Sequence, residues 1–144
     1  MSTDCCINTE VPLSLSFDPL TFLTAACNAK AIEAGAITVS FVSPEKIVAL
    51  NQQYLKRDYV TDIISFNLST PPEPILGDIY ICVSQATQNA QEFGQSLENE
   101  IKLLIVHGVL HLLGYADYTK TEQIEMRNQE TQLLNLIHHG HPTI

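Results

Sequence analysis

Basic side chains are scarce in this chain. Seven lysines and arginines stand against sixteen aspartates and glutamates, a formal charge of −9 at pH 7. Broad, sequence-independent binding to nucleic acid needs phosphates neutralised by lysine and arginine, so this balance argues against it. A local basic patch stays possible, and Lys56 and Arg57 are the only adjacent pair among the seven. Cysteine pairs of the C-x-x-C kind are missing too. Cys5, Cys6, Cys27 and Cys82 are then expected as free thiols, and a thiolate metal site is disfavoured. Residues 1–17 carry Asp4 and Glu10, no basic residue and no long apolar run, so no targeting signal is read there. The most apolar stretch, residues 101–115, is too short to span a bilayer and contains Lys102, His107 and His111. A cytoplasmic protein with no membrane and no DNA partner is expected. Repeats, low-complexity tracts and linkers are absent, so residues 1–144 are read as a single domain.

What is present has globular composition, with 45% apolar and 16% charged residues. Val11, Leu13, Leu15 and Phe17 alternate with polar residues and suggest an extended edge segment, demoted by Pro12. Asp18-Pro19 reads as a cap and first turn, followed by a stripe of Leu20, Leu23, Cys27 and Ala31 that ends near Gly35. The β-branched run 37–42 predicts a strand. Ser43-Pro44 starts a second helix through Ile47, Leu50, Gln53 and Tyr54, with a polar, basic loop over 55–60. Runs 61–68 and 75–82 predict two strands, antiparallel neighbours across a proline-rich loop. Ser84 is expected to cap a helix through Phe93, Ser96 the next over 97–113, and Thr121 a last one carrying Ile124, Leu133, Leu134 and Ile137. Four strands and about five helices, the helices late, make an α+β protein.

The helix over 97–113 carries the chemistry. His107 and His111 stand four apart, so both imidazoles share one helix face and can reach one metal ion. Gly114 offers a left-handed helix end, and Asp117 can supply a third ligand from the returning chain. The plainer alternatives are core histidines and an aspartate that only caps the next turn. A catalytic zinc needs about three protein ligands and one open position. Such an ion brings the pKa of a bound water to about 7 and polarises an acyl or phosphoryl oxygen, so hydrolysis is the natural reaction class. The metallopeptidase pattern H-E-x-x-H keeps a general base where this chain has Gly108. Glycine there either leaves room above the metal for a bulky substrate or permits close packing of the helix.

The segment His107-Gly108-Val109-Leu110-His111-Leu112-Leu113-Gly114-Tyr115-Ala116-Asp117 resembles the hallmark H-G-x-L-H-L-x-G-Y-D-H of the YbeY family, the bacterial single-strand endoribonucleases that mature rRNA. Leu50-Asn51, Tyr54, Asp58 and Thr61-Asp62-Ile63-Ile64-Ser65-Phe66 are similar to that family's L-N-x-x-Y-R…D-x-P-T-D-V-L-S-F block. Leu76-Gly77-Asp78-Ile79 is similar to its L-G-D-I strand, and order and spacing agree from about Ser40 to Leu134. The resemblance implies an α+β fold with a small mixed four-stranded sheet, about five helices and a metzincin-like metal helix. It implies a zinc-dependent endoribonuclease that cleaves single-stranded RNA in 16S rRNA 3′-end maturation and ribosome quality control. The implied partners are an rRNA precursor and the ribosomal small subunit or its proteins.

Two departures bear on the site. Asp117 stands where the family usually has its third histidine, and Ala116 where it has aspartate. A ligand set of His107, His111 and Asp117 then holds the zinc; the anionic oxygen donor also admits a harder ion, Mn²⁺ or Fe²⁺, as an alternative ranked behind zinc. Leu55 stands where the family usually carries an arginine, and Val60 where it has proline. Lys56 or Arg57 is expected to steady phosphate charge in its place. The nucleophile is taken to be water, with the RNA 2′-hydroxyl as the open alternative. Thr61 and Ser65 are candidates for the cleft wall and Asp62 and Asp78 for orienting an imidazole, although capped turns and strand-end hydrogen bonds explain these at least as well; Phe66 could stack on a base, but core packing is the better reading. His138, His139 and His141 form a terminal cluster best read as a polar tail. The competing function is a ribosome-associated RNA- or protein-binding factor with weak or no nuclease activity.

Overall fold

The structure, a computed structural model, describes residues 3–32, 34–70 and 72–138. Its strands are β1 (Asp4–Thr9), β2 (Gly35–Val42), β3 (Ile63–Asn67) and β4 (Ile75–Cys82), and its helices α1 (Pro19–Ala29), α2 (Pro44–Leu50), α3 (Val83–Glu92), α4 (Leu97–Leu112) and α5 (Lys120–His138). The sheet runs β1-β2-β4-β3. β1 and β4 pair in parallel with β2, and β3 pairs antiparallel with β4, with Ile64 opposite Tyr80 and Phe66 opposite Asp78. The α+β fold and the antiparallel pairing across the proline-rich loop are as the sequence predicts.

Alternation along β3 sorts its side chains between two compartments. Ile64 joins Val42, Ile47, Leu50 and Cys82 in a small core under α2, with Phe66 packed against it. Phe66 meets Tyr54 and Tyr80 at ring-centroid distances of 5.2 and 6.0 Å, so its ring belongs to this packing. Ile63, Ser65 and Asn67 face the other way and line a cleft beside α4. The larger core fills the space between the sheet and α1, α3, α4 and α5. α4 lies at its centre. Ile101, Ile105, Val106, Val109 and Leu110 are fully buried, which is why this helix is apolar over most of its circumference.

Several local expectations shift. The N-terminal strand lies over 4–9, upstream of the alternating stretch 11–17, whose Val11, Leu13, Leu15 and Phe17 pack against the core without regular pairing. α1 begins as read, with Asp18 accepting from the Leu20 amide, but it stops at Ala29; Leu20 is exposed and Ala31 lies beyond the helix at φ 57°. Cys82, not Ser84, precedes α3. Ser96 caps α4 as expected, accepting from the Asn99 amide. Thr119, not Thr121, caps α5: its hydroxyl accepts from the Glu122 amide while the Glu122 carboxylate accepts from the Thr119 amide, a reciprocal box that fixes where the helix starts. Ile124 points to solvent; Met126 and Leu133 are the buried residues of that helix. The four cysteines are free, and Cys5 and Cys27 stand 3.9 Å apart, Sγ to Sγ. His138 ends α5 with its ring 6.4 Å from Phe22; His139 and His141 lie outside the described residues.

Gly108 decides how closely α4 sits on the sheet. A Cβ built there would come within 2.8 Å of Ile79 Cδ1 and 2.9 Å of Ile79 Cγ2, on a fully buried central-strand residue. Close packing, rather than room above the metal, is therefore what this glycine serves, and a glutamate at this position has no space. Gly108→Ala is expected to destabilise the protein by about 1–3 kcal/mol through overpacking. A urea melt showing unchanged stability would refute that.

Candidate metal centre and cleft

Local chemistry brings the third donor back to the histidines. After α4, Gly114 takes φ +102°, its amide donates to His111 O at 3.0 Å, and the Tyr115 amide donates to Leu110 O at 3.1 Å. This is the two-bond Schellman ending, which needs a left-handed residue and turns the chain back on itself. Three residues later Asp117 faces the helix it has just left. Its backbone carbonyl accepts from Gln123 Nε2 at 3.2 Å, which ties the loop to the first turn of α5. Asn67 of β3, which lines the same cleft, donates to the Leu112 carbonyl at 3.2 Å and ties the helix end to the sheet.

Asp117 Oδ2 lies 3.6 Å from His107 Nε2 and 3.5 Å from His111 Nε2. One ligand atom from each of the three residues falls within 4.8 Å of the others. Donors about 2.0–2.2 Å from a tetrahedral zinc stand about 3.3–3.6 Å apart, so the two contacts to Asp117 already have the length of tetrahedron edges. Two nitrogen donors and one carboxylate oxygen are also ligand types that zinc accepts. The donor set therefore fits a metal ion, and all three residues line the cleft.

Glu130 of α5 completes the arrangement. Its Oε2 hydrogen-bonds His107 Nδ1, which leaves Nε2 to face His111 and Asp117. Burial alone would push His107 down, but the hydrogen bond and charge of Glu130, with Asp117 and Asp62 beyond, outweigh it and hold the imidazole above its ordinary pKa. His111 goes the other way: burial first, then the neighbouring His107 charge, push it below its ordinary value despite Asp117. The shift of His111 favours its neutral form, with a lone pair to offer, whereas that of His107 favours the protonated form, with which a cation would compete.

The cleft, about 480 Å³, is lined by Asn51, Leu55, Arg57, Thr61, Asp62, Ser65, His107, His111, Asp117 and Tyr118, among others. Of the two candidate cations, Arg57 lines it and Lys56 does not. The reason is local. α2 widens into a π-helical turn over Asn51–Leu55, and Lys56 closes it in a left-handed conformation at φ 55°, so the residues on either side of it, Leu55 and Arg57, both reach the cleft. Asn51 is fully buried and clasps this loop: its Nδ2 donates to Tyr59 O at 2.8 Å, and its carbonyl accepts from the Arg57 amide at 3.0 Å. Thr61 and Ser65 lie on the wall as expected. Asp62 borders the cleft, but its carboxylate accepts from Asn89 Nδ2 at 3.0 Å rather than from an imidazole. Asp78 does not line the cleft.

Sequence reading missed Glu130 and Asn67, and gave no role to Asn51 although Leu50-Asn51 is part of the matching block. A signal for Glu130 was available: it sits four residues after buried Met126 and three before buried Leu133, an acid on the inward stripe of an otherwise polar helix. The two asparagines carry no such periodic signal.

The α+β fold thus brings two histidines and a carboxylate, from one helix and its return loop, together in an open cleft as a group that could hold a metal ion. The family model described as Endoribonuclease YbeY matches residues 19–138, and the chain belongs to that family. It is 38% identical over 122 residues to the Endoribonuclease YbeY of Bacillus licheniformis, covering 77% of each chain. To that of Flavobacterium psychrophilum it is 40% identical over 104 residues, covering 72% of this chain and 74% of the relative. It is also similar to a Thermotoga maritima protein solved in solution, with a TM-score of 0.64 and 26% identity over 94% of this chain and 88% of that one. Among the described residues no helix is long and apolar enough to cross a membrane.

Proposed function

We propose that this protein is a zinc-dependent, single-strand-specific endoribonuclease of the cytoplasm that acts in 16S rRNA 3′-end maturation and ribosome quality control, in contact with the small subunit. The observation that carries the reading is the convergence of His107, His111 and Asp117 in a cleft that Arg57 also lines. Family membership supports the RNA chemistry.

His107, His111 and Asp117 would hold the ion. When bound, zinc supplies a Lewis acid for a phosphodiester oxygen and acidifies a water molecule. The chain does the rest. Arg57 presents a planar fork of donors to the scissile phosphate and stabilises negative charge as it develops. Thr61 and Ser65 offer hydroxyls to the sugar–phosphate backbone along the wall. Glu130 stops the His107 ring from turning away. Lys56, set back from the cleft, attracts RNA at longer range, where the −9 charge of the whole chain otherwise repels it.

The test is cleavage of a short single-stranded RNA by the purified chain, with stoichiometric zinc and then with excess chelator. Cleavage that chelator abolishes and zinc restores is the expected result, with Arg57→Ala slowing it by about 10²-fold or more. The anionic third donor and the leucine at position 55 favour a second reading, a ribosome-associated binding factor. RNA binding without chelator-sensitive cleavage would establish that one instead.

A further inference from the structure

Two cavities meet at His107. The first is the cleft above. The second, about 400 Å³, lies across a wall formed by Asp62, Ile63 and His107, which border both. Phe93, Gln95, Leu103, Leu104, Glu100 and Arg127 help line it. Each cavity carries one strongly exposed aromatic ring. Tyr118 on the first is 87% exposed and Phe93 on the second 72%; among the described residues these are the two most exposed large apolar side chains. Phe93 is simply the residue after α3, and nothing in the core holds it.

Charge decides what the second cavity takes. Asp62, Glu100 and Glu130 bring three carboxylates against one guanidinium, Arg127, and the imidazole of His107. Gln95 Nε2 and Asn89 Nδ2 donate to Glu100, and Asn89 also to Asp62, so the acidic wall is held rigid. A phosphate is repelled there. A flat, uncharged ring is not: Phe93 offers a stacking face, Leu103 and Leu104 an apolar floor, and carboxylates with spare lone pairs accept from exocyclic amino groups.

We propose that the second cavity is a nucleobase subsite, which takes one unpaired base of the RNA strand next to the phosphate held in the cleft, stacked on Phe93. This rests on the reading of the chain as a ribonuclease acting on single strands. It also gives that preference a cause, since a base inside a duplex cannot swing into the cavity. Adenine, cytosine and guanine, which carry amino donors, are favoured over uracil.

The experiment uses the full chain in chelator, so that binding is read without turnover. The probes are short single-stranded RNAs with one 2-aminopurine moved stepwise along the strand. The expected result is stacking-quenched fluorescence at one position that Phe93→Ala releases, with about 10-fold weaker binding. Phe93→Trp restores both the quench and the affinity. Because Phe93 is solvent-exposed, neither substitution should alter the fold, and circular dichroism checks that. Wild-type binding with every quench and Kd unchanged in Phe93→Ala would overturn the subsite and leave the ribonuclease reading standing. A wild-type chain that neither binds nor cleaves single-stranded RNA would overturn both.

Discussion

Alanine in place of Asp117 is expected to weaken zinc binding by more than about 100-fold. Loss of a hydrogen-bond partner one step removed from a metal typically costs about 10–100-fold, and Asp117 would be a ligand itself. Its carboxylate is the only group that comes within 3.6 Å of both imidazoles at once in this cluster, so its removal leaves two donors on one helix face and an ion open to solvent on two sides. Two-histidine sites of that kind compete poorly with buffer and water. Competition titration against a chromogenic chelator measures the change directly, and unaltered affinity would remove Asp117 from the site. Asp117→His is the informative companion. It restores the donor type usual in the family and is expected to keep zinc bound. The neutral ring leaves more positive charge on the centre, so the rising limb of the pH–rate profile should move to lower pH.

Removing the Glu130 carboxylate should cost about 10–100-fold in zinc affinity, although Glu130 is not one of the three clustered donors. With Nδ1 hydrogen-bonded to Glu130, the His107 ring is held with Nε2 facing the other donors. Glu130→Leu frees the ring to turn and abolishes the charge that stabilises the imidazolium. The sign of the pH effect separates this role from mere packing. In the native chain His107 titrates above its ordinary value, so zinc has to displace a proton and affinity falls as pH drops through that raised pKa. Without Glu130, burial is left as the leading influence and pushes the pKa down, so the fall in affinity should begin at lower pH. Glu130→Gln keeps an acceptor without the charge and is expected to lie between the two. Zinc titrations across pH, with imidazole ¹⁵N shifts to report the tautomer, would show it; an unmoved pH dependence in Glu130→Leu would deny Glu130 this part.

Metal-free stability follows the same signs. His107, raised in the folded state, contributes stability that is fully present below its unfolded pKa and lost as pH rises through the folded value. His111, lowered in the folded state, opposes it: its contribution is present above the unfolded pKa and is lost as pH falls through the lower, folded value.

Much of this could be read from residues a few places apart. The spacing of His107 and His111, the glycine that ends their helix and the carboxylate beyond it depend on helix geometry and one capping motif, which act over single turns. The caps at Asp18, Ser43 and Ser96 were legible for the same reason; each side chain accepts from an amide two or three residues on. Where two capping residues compete within a short stretch, as Thr119 does with Thr121, the outcome turned on which one Glu122 could reach back to.

Position in the sequence alone thus determined the α+β class, the metal-type triad and the two residues between which the cleft's cation would be found. Tertiary packing decided the remainder. Arg57 rather than Lys56 enters the cleft because a widened turn and one left-handed residue set the phase of the chain. Glu130 reaches His107 across 23 residues because α5 packs on α4, and Phe93 lines a cavity that His107 also borders because α3 packs on α4 too. Contacts of that range have no period to betray them; they exist only once buried apolar faces have fixed how one helix lies against another.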